Sequence, residues 1–314
     1  MTAIRGVVVT GATGAIGISL IKLLSSKKIP VLAIIREHSS RRRFIEDLPC
    51  VLIRECNLSD IPDFAIDNEV SDYSFDVIYH LGWEGSDRDS RNNPDIQKKN
   101  ITYTMNVIDL AVRLGCTAFI GAGSQAEYGR VEGNIDENVP SKPVTEYGKA
   151  KLLVEQASRK YCTNLGIKHV WTRIFSVYGP GMGMDSLITY SIAEMMNGNC
   201  PKSTAGEQIW DFMYSDDAAK ALFLLALNGN NNNTYCIASG EGKPVKEYIE
   251  IIRNIVNPSL ELKLGEIPYS PNQIMKLVGD ISKLKKDTAF EPEISFEEGI
   301  RYMYDWMITE KQRS

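Results

Sequence analysis

Residues 10–17 read Thr-Gly-Ala-Thr-Gly-Ala-Ile-Gly; they follow the apolar run RGVVVT and precede an amphipathic stretch. A buried strand, a glycine-rich turn and a helix in this order are typical of a dinucleotide-binding turn. Gly11 would allow the tight turn, Gly14 a close approach of the backbone to a pyrophosphate, and Gly17 tight helix–strand packing. Backbone N–H groups at the helix start would face the diphosphate. The predicted contacts are Gly11, Thr13, Gly14, Ala15 and Ile16.

Apolar runs and helical patterns alternate through the first 175 residues. Near-continuous Val/Ile-rich runs separated by helices predict a parallel sheet that is covered on both faces. Right-handed crossovers make this a doubly wound, Rossmann-type α/β sheet. The predicted strands are 5–10, 31–36, 51–55, 76–81, 118–122 and 169–175. The predicted helices are 16–26, 96–114 and one that begins near residue 146.

The pattern loosens after residue 176, where turn-forming residues occupy 178–183. We predict a smaller C-terminal α/β domain here, which would hold the substrate. Its predicted elements are helices at 186–197, 246–256 and 296–307 and a strand at 235–238. The dinucleotide-binding domain would comprise 1–175 and about 209–237, and the substrate domain about 176–208 and 238–314.

Composition excludes several classes of protein. The 314 residues carry a net charge of −5, so no global attraction to nucleic acid or to an anionic membrane is expected. No apolar run approaches the roughly 18 residues of a membrane span, and the first strand begins too early to leave room for a signal peptide. The six cysteines lack CxxC or metal-ligand spacing, which predicts a reduced, cytoplasmic setting and no metal site. His80 ends a strand and is predicted to be a satisfied residue near the core.

Arg36 closes the second predicted strand. An acidic residue at this place would hydrogen-bond the adenosine ribose of NAD, and it would repel a 2′-phosphate. An arginine can instead pair with that phosphate through its planar fork of donors. The sequence therefore favours NADP as the cofactor, with NAD as the alternative.

Tyr147 and Lys151 lie four residues apart on a predicted helix, so their side chains share one face. A free tyrosine has a pKa of about 10. A neighbouring ammonium and a cationic nicotinamide would both favour the phenolate and make it an acid/base near neutral pH. Tyr-x-x-x-Lys also arises by chance, but here Ser124 stands directly after the fifth predicted strand.

These residues resemble the extended short-chain dehydrogenase/reductase family that acts on nucleotide sugars. The resemblance covers nearly the whole chain. The matching stretches are TGATGAIG at 10–17, HLGW at 80–83, Asn100, Ser124, YGKAK at 147–151, the segment from Arg173 through VYGPG at 177–181, WDFMYSDD at 210–217 and DISK at 280–283.

The resemblance implies roles for individual residues. Tyr147 would be the acid/base, Lys151 would bind the nicotinamide ribose, Ser124 would hold the substrate oxygen, and Asn100 would support a water relay behind Lys151. Further cofactor contacts would be Asn57 and Leu58 beside the adenine, Leu81, Gly82 and Trp83 through their backbone, and Ile174 and Val177 near the nicotinamide. The substrate contacts would be Ser124, Gln125, Ser176 and Trp210. Many members of the family have Asp where this chain has Asn57.

Departures from the family pattern narrow the expected chemistry. Sugar-nucleotide 4,6-dehydratases place an acidic pair directly after the catalytic Ser or Thr, but Gln125 and Ala126 stand there in this chain. Glu127 follows one residue later and is interpreted as structural. Ser176 and Trp210 replace an Asn and an Arg that often contact the diphosphate.

These observations predict an NADPH-dependent 4-keto reductase of a nucleotide-linked 6-deoxyhexose. The alternatives are an NAD-dependent nucleotide-sugar 4-epimerase of the UDP-glucose type and a non-catalytic NADP(H)-sensing protein. The resemblance also implies a homodimer, formed through the helix at 96–114 and the helix that carries Tyr147.

Overall fold

A computed structural model describes residues 4–87, 89–184 and 186–313. The strands are β1 (Val7–Thr10), β2 (Val31–Ile35), β3 (Val51–Glu55), β4 (Val77–His80), β5 (Ala118–Ser124), β6 (Gly133–Ile135), β7 (Lys168–Ile174), β8 (Ser176–Tyr178), β9 (Ile209–Trp210), β10 (Phe212–Tyr214), β11 (Asn233–Ile237), β12 (Lys243–Pro244) and β13 (Lys276–Gly279). The helices are α1 (Ala15–Ser26), α2 (Asn68–Ser71), α3 (Pro94–Arg113), α4 (Glu146–Leu165), α5 (Leu187–Met196), α6 (Ser215–Asn228), α7 (Val245–Val256), α8 (Ser282–Thr288) and α9 (Phe296–Arg313).

A parallel sheet of seven strands, in the order β3-β2-β1-β4-β5-β7-β11, forms the centre of the described chain. Alternate residues of each strand face opposite layers. Val7 and Val9 of β1 pack in one core with residues of α1 and α6, whereas Val8 packs in the other with α3 and α4. All three valines are fully buried, and each such burial contributes about 1.5–3 kcal/mol. The predicted doubly wound α/β sheet is confirmed.

The smaller part of the molecule contains a four-stranded sheet in the order β12-β9-β13-β6, the parallel pair β8–β10 and a third apolar core. Of the stretch 209–237, which the sequence assigns to the dinucleotide-binding domain, β11 joins the large sheet, whereas β9 pairs with β12 and β13 and β10 pairs with β8. The buried Asp211 carboxylate, between β9 and β10, accepts from the backbone N–H groups of Ser239, Gly240 and Gly279, and this ties β9 to β13. The division into two domains stays a proposal, with β9 and β10 assigned to the smaller part.

Most element boundaries agree with the prediction to within two residues, and two differences matter. β5 continues to Ser124, two residues beyond the predicted end, and it pairs there with Ile174 of β7. α9 continues to Arg313 rather than ending near 307, and its last turns place Glu310 against Arg43. The first difference bears on function, because it fixes Ser124 at the rigid carboxyl end of a central strand.

Candidate active site

The glycine turn between β1 and α1 is tightly packed at Gly11 and Gly17 and open at Gly14. Gly11 has a φ of +68°, and a Cβ added there would lie 2.5 Å from the backbone nitrogen of Gly82. A Cβ at Gly17 would come within 2.4 Å of the Gly11 carbonyl oxygen. At Gly14, which caps α1, a Cβ would meet only that same oxygen, at 3.4 Å. Gly11 and Gly17 are therefore needed for packing, and Gly14 leaves space next to the helix start.

The carboxyl end of β2 lies beside this turn. Arg36 is exposed, and among the described residues its guanidinium makes no ion pair and no hydrogen bond. The Ser39 hydroxyl donates to that of Thr13 across 3.2 Å, which ties the segment after β2 to the turn. A Cβ at Gly82 would lie 3.3 Å from a methyl carbon of Leu58, and the Asn57 amide donates to Asp60. The exposed Arg36 guanidinium therefore lies in the segment that is tied to the glycine turn, and the predicted cofactor contacts of these residues stay predictions.

Ser124 and Tyr147 are brought together by close packing of α4 on the turn that follows β5. Thr145 caps α4 by accepting from Gly148 N at 3.1 Å. A Cβ at Gly148 would lie only 2.4 Å from the Ala126 carbonyl oxygen, so glycine allows the helix to approach. The Ser124 hydroxyl accepts from Ala126 N at 3.2 Å, and it acts to lower the pKa of Tyr147. The close packing at Gly148 thus brings Tyr147, the residue before it, near Ser124.

Lys151 is buried one turn further along α4. Its Nζ donates to the Ala122 carbonyl oxygen at 2.6 Å and lies 3.6 Å from the centre of the Trp83 ring. The same Nζ is 5.6 Å from the centre of the Tyr147 ring. Burial lowers the pKa of Lys151 to about 7, and the Glu127 carboxylate opposes this shift.

The expectation that the ammonium of Lys151 favours the Tyr147 phenolate stays a prediction. Burial raises the pKa of Tyr147, and the groups that act in the opposite direction are the Ser124 hydroxyl and the charge of Arg91. The nearest partners of the Lys151 ammonium are the Trp83 ring and the Ala122 carbonyl. Arg91 lies over the Tyr147 ring, with its guanidinium carbon 4.6 Å from the ring centre.

Trp83 contacts both Tyr147 and Lys151, and Asn100 bonds the residue that follows Trp83. The Trp83 ring meets Tyr147 edge-on, with centroids 5.8 Å apart, and its Nε1 donates to Gln97 at 2.9 Å. The Asn100 amide accepts from Glu84 N and donates to Glu84 O, and it also donates to the Ile96 carbonyl. Asn100 therefore holds the loop after Trp83 in place, and its predicted part in a water relay stays a prediction.

The predicted substrate residues are arranged in an unexpected way. Trp210 Nε1 donates to the Ser176 hydroxyl at 2.8 Å, so the two positions that depart from the family pattern bond each other. The Trp210 backbone carbonyl accepts from the Tyr248 hydroxyl, which anchors the backbone of Trp210 to α7. Gln125 lies next to Ser124, and its buried Oε1 has no hydrogen-bond partner within the described chain. Ile174 and Val177 flank this region at the end of β7 and in β8.

A buried network of ion pairs is hydrogen-bonded to the backbone of Ser124. The Glu127 carboxylate accepts from Ser124 N at 2.7 Å, from Arg173 Nε at 3.0 Å and from Trp171 Nε1 at 3.2 Å. Arg173 also pairs with Glu155 at 3.0 Å. Burial raises the pKa of Glu127 to about 7, and the Arg173 guanidinium opposes that shift. The interpretation of Glu127 as a structural residue agrees with these contacts.

His80 lies under the glycine turn. Its Nδ1 pairs with the Thr10 hydroxyl at 2.8 Å and its Nε2 with the Thr104 hydroxyl at 3.1 Å. Burial lowers the pKa of His80 to about 3, so the ring is neutral. The prediction of a satisfied residue near the core is confirmed.

Sequence reasoning missed Arg91 and Gln97. Arg91 belongs to a 3-10 turn at Ser90–Asn92 ahead of α3, in a polar stretch without periodicity. Gln97 looks like one more polar residue in the first turn of a long helix. The sequence carried one signal for Gln97. Trp83 follows a strand and its glycine, and the N–H of a buried indole needs a polar partner, which Gln97 supplies.

Comparison with known proteins places the chain among enzymes. The family described as "NAD dependent epimerase/dehydratase" matches residues 7–238. A "Putative UDP-glucose 4-epimerase" of Methanocaldococcus jannaschii is 28% identical over 96% of this chain and 98% of its own length. The "CDP-abequose synthase" of Salmonella typhimurium is 27% identical over 94% of this chain and 95% of its own.

Solved structures show the same fold. A UDP-N-acetylglucosamine 4-epimerase from Methanobrevibacter ruminantium, in complex with UDP-N-acetylmuramic acid, superposes with a TM-score of 0.86 at 24% identity. That likeness covers 98% of this chain and all of the other. A dTDP-glucose 4,6-dehydratase from Bacillus anthracis in complex with NAD gives a TM-score of 0.81 at 17% identity, over 98% of both chains.

Proposed function

The chain belongs to the NAD-dependent epimerase/dehydratase family, and from this premise we propose that it reduces C4 of a nucleotide-linked 4-keto-6-deoxyhexose with NADPH. As a member of this family it is an enzyme of the extended short-chain dehydrogenase/reductase type, not a sensing protein without turnover. The carrying observation is that Ser124, Tyr147 and Lys151 converge at the carboxyl end of β5, with no acidic pair at Gln125 and Ala126.

The side chains support a carbonyl reduction as follows. Ser124 lies close enough to Tyr147 to lower the pKa of its phenol, so a carbonyl oxygen bound between the two hydroxyl groups would accept from both. A bound nicotinamide dinucleotide supplies the hydride that the carbonyl carbon receives. Tyr147 gives its proton to the carbonyl oxygen, which completes a secondary alcohol and leaves a phenolate. The phenolate takes its next proton from solvent, because Tyr147 is only half-buried.

Gln125 and Ala126 stand where a dehydratase has its acidic pair, and they do not support elimination of water. Loss of water from a sugar needs an additional acid and base next to the leaving hydroxyl. The Gln125 amide cannot supply either, and Ala126 carries no polar group. Gln125 is proposed to bind a sugar hydroxyl instead, because its buried Oε1 has no partner among the described residues.

We propose NADP rather than NAD as the cofactor. The exposed Arg36 guanidinium at the end of β2 makes no bond within the described residues and would pair with a 2′-phosphate. Thr13, held by Ser39, would face the diphosphate with the N–H groups of Gly14, Ala15 and Ile16. A steady-state comparison of kcat/KM for NADPH and NADH tests this choice, and a preference for NADH would contradict it.

A 4-epimerase is the second candidate. It is favoured by the relative named as a putative UDP-glucose 4-epimerase, which matches the chain almost end to end. The same Tyr147 would then remove a proton from an alcohol and later return one to the ketone. Net redox change distinguishes the two reactions, because only the reductase consumes a reduced cofactor.

We also propose a homodimer formed through α3 and α4. Val112 on α3 and Leu153 and Leu165 on α4 are each more than two-fifths exposed, which is unusual for large apolar side chains on two adjacent helices. Within the described residues no helix combines the length and apolar character that a membrane span requires. Sedimentation of the purified chain tests the dimer, and a monomer at micromolar concentration would contradict it.

The activity is tested by incubating the protein with NADPH and a panel of nucleotide-linked 4-keto-6-deoxyhexoses, and separately with UDP-hexoses and NAD. The proposal predicts oxidation of NADPH in step with formation of the reduced sugar nucleotide. Interconversion of UDP-hexoses without consumption of NADPH would establish the epimerase instead.

A further inference from the structure

Arg91 is placed against Tyr147 by three elements. Its own turn, Ser90–Asn92, is tied to α3 because Gln97 Nε2 donates to the Ser90 carbonyl at 3.2 Å. Asn92 Oδ1 accepts from Glu146 N at 3.3 Å, which ties the same turn to the start of α4. The Arg91 guanidinium then lies over the Tyr147 ring, 4.6 Å from its centre.

The charge of Arg91 has no carboxylate to neutralise it within the described chain. No acidic side chain pairs with its guanidinium among residues 4–87, 89–184 and 186–313, and its buried Nε has no hydrogen-bond partner there. A cation over an aromatic face is attracted by the ring, and the attraction grows when the group is desolvated. It grows again when the phenol loses its proton, because the ring then carries a full negative charge.

We propose that Arg91 is a positioning residue that stabilises the phenolate form of Tyr147 and thereby sets the pH range in which Tyr147 exchanges its proton. The proposal deepens the proposed function and rests on it for the role of Tyr147 in turnover. Of the two cations near Tyr147, Arg91 lies closer to the ring centre, at 4.6 Å against 5.6 Å for Lys151.

The other groups that face Tyr147 do not replace Arg91. From β5 and its following turn come the neutral Ser124 hydroxyl and the Glu127 carboxylate, and the latter disfavours a phenolate. From α4 comes Lys151, whose Nζ lies 5.6 Å from the ring centre. Burial raises the pKa of Tyr147, while the charge of Arg91 acts to lower it. Loss of that charge would therefore move the ionisation of Tyr147 to higher pH.

The test is a spectroscopic titration of tyrosinate without substrate or cofactor, so its outcome does not depend on which reaction the enzyme catalyses. The wild-type signal minus that of Tyr147→Phe isolates Tyr147. The same difference is taken for Arg91→Met, which removes the charge at similar length, and for Arg91→Lys, which keeps it. Arg301→Met, on the exposed face of α9, is the matched control.

The expected result is that Arg91→Met moves the midpoint of Tyr147 up by about one pH unit, a tenfold loss of phenolate at a given pH. Arg91→Lys should move it by less than half as much, and Arg301→Met not at all. The Tyr147-dependent limb of the kcat/KM profile should follow the same order. Equal midpoints for wild type and Arg91→Met would overturn the proposal. So would an equal shift in Arg91→Lys, or no Tyr147 signal below the pH of unfolding.

Discussion

The glycine turn, which is proposed to hold the cofactor, and the Ser176–Trp210 pair, which is proposed to hold the sugar, are built in different ways. The turn consists of eight consecutive residues, whose geometry is set by the φ of Gly11 and by the lack of room for a Cβ at Gly17. The pair joins two residues 34 positions apart, on strands of different sheets, through one hydrogen bond of 2.8 Å. The proposed cofactor side is therefore determined locally, and the proposed sugar side is determined by tertiary packing.

Because of this difference, we expect cofactor binding and sugar binding to respond differently to mutation. A ligand that binds through backbone N–H groups is insensitive to most side-chain changes, provided that the glycines remain. A ligand that binds through side chains already paired with each other depends on both members of the pair. We expect mutations on the cofactor side to affect folding or the dinucleotide, and mutations on the sugar side to affect substrate affinity.

Replacing Tyr147 with Phe should give the largest loss of turnover, because the proposed reaction needs this residue whichever ligand site is intact. Loss of a proton donor at the reacting oxygen is expected to lower kcat by about 10²–10⁴-fold, with little change in either KM. Single-turnover kinetics measure it. The matched control is Tyr161→Phe on the same helix, whose hydroxyl contacts Asp109 outside the site. Undiminished turnover in Tyr147→Phe would remove this residue from the chemistry.

Replacing Arg36 with Asp should affect only the cofactor side. Removing a charge-assisted pair and adding a repulsive carboxylate should lower kcat/KM for NADPH by roughly 100-fold, or about 3 kcal/mol. NADH should be used as well as before or better, and the KM of the sugar nucleotide should not change. Parallel titrations with both cofactors measure it, with Arg301→Ala as control. Equal losses for NADPH and NADH would contradict the assignment of Arg36 to a 2′-phosphate.

Two glycine substitutions separate packing from binding within the turn. Gly17→Ala forces a Cβ against the Gly11 carbonyl, so the free energy of unfolding should fall by about 2 kcal/mol. Gly14→Ala meets only one atom at 3.4 Å, so stability should be unchanged while dinucleotide affinity falls. Urea unfolding and calorimetric titration measure the two quantities. The reverse pattern, with Gly14→Ala unstable and Gly17→Ala stable, would contradict the division of roles.

The smallest effect is expected on the sugar side. Ser176→Ala and Trp210→Phe each remove the hydrogen bond between these residues, and the double variant should show a coupling energy of about 1 kcal/mol in sugar-nucleotide binding. Calorimetric titration of all four proteins measures it. The Kd of the dinucleotide should stay constant across the set and serves as the internal control. Additive losses would mean that the two side chains act independently.

The sequence was sufficient for the large sheet because local signals dominate there. Val/Ile-rich runs, a glycine turn and helix-start residues each act over a few positions, and all of them point to the same architecture. Tyr147 and Lys151 were likewise predictable as a pair, since one helical turn determines their common face. The end of β5 at Ser124 was missed by two residues, because small residues such as Ala122 and Gly123 carry little strand propensity.

The remaining site residues depend on contacts that spacing does not reveal. Arg91 reaches Tyr147 only because Gln97 and Asn92 hold its turn between two helices. Trp210 meets Ser176 because Asp211 ties β9 to the C-terminal sheet. Each of these contacts joins segments far apart in the chain, and the intermediate residues carry no periodic pattern that would predict the encounter.

Transfer of deuterium from NADPH labelled at the nicotinamide C4 provides the most direct test of hydride delivery to a sugar carbon beside Tyr147. After incubation with a nucleotide-linked 4-keto-6-deoxyhexose, mass spectrometry should find one deuterium at C4 of the sugar, in amounts equal to the NADP formed. The Tyr147→Phe protein should bind both ligands and transfer almost none. Unlabelled product, or labelled product made equally fast without the Tyr147 hydroxyl, would contradict the account.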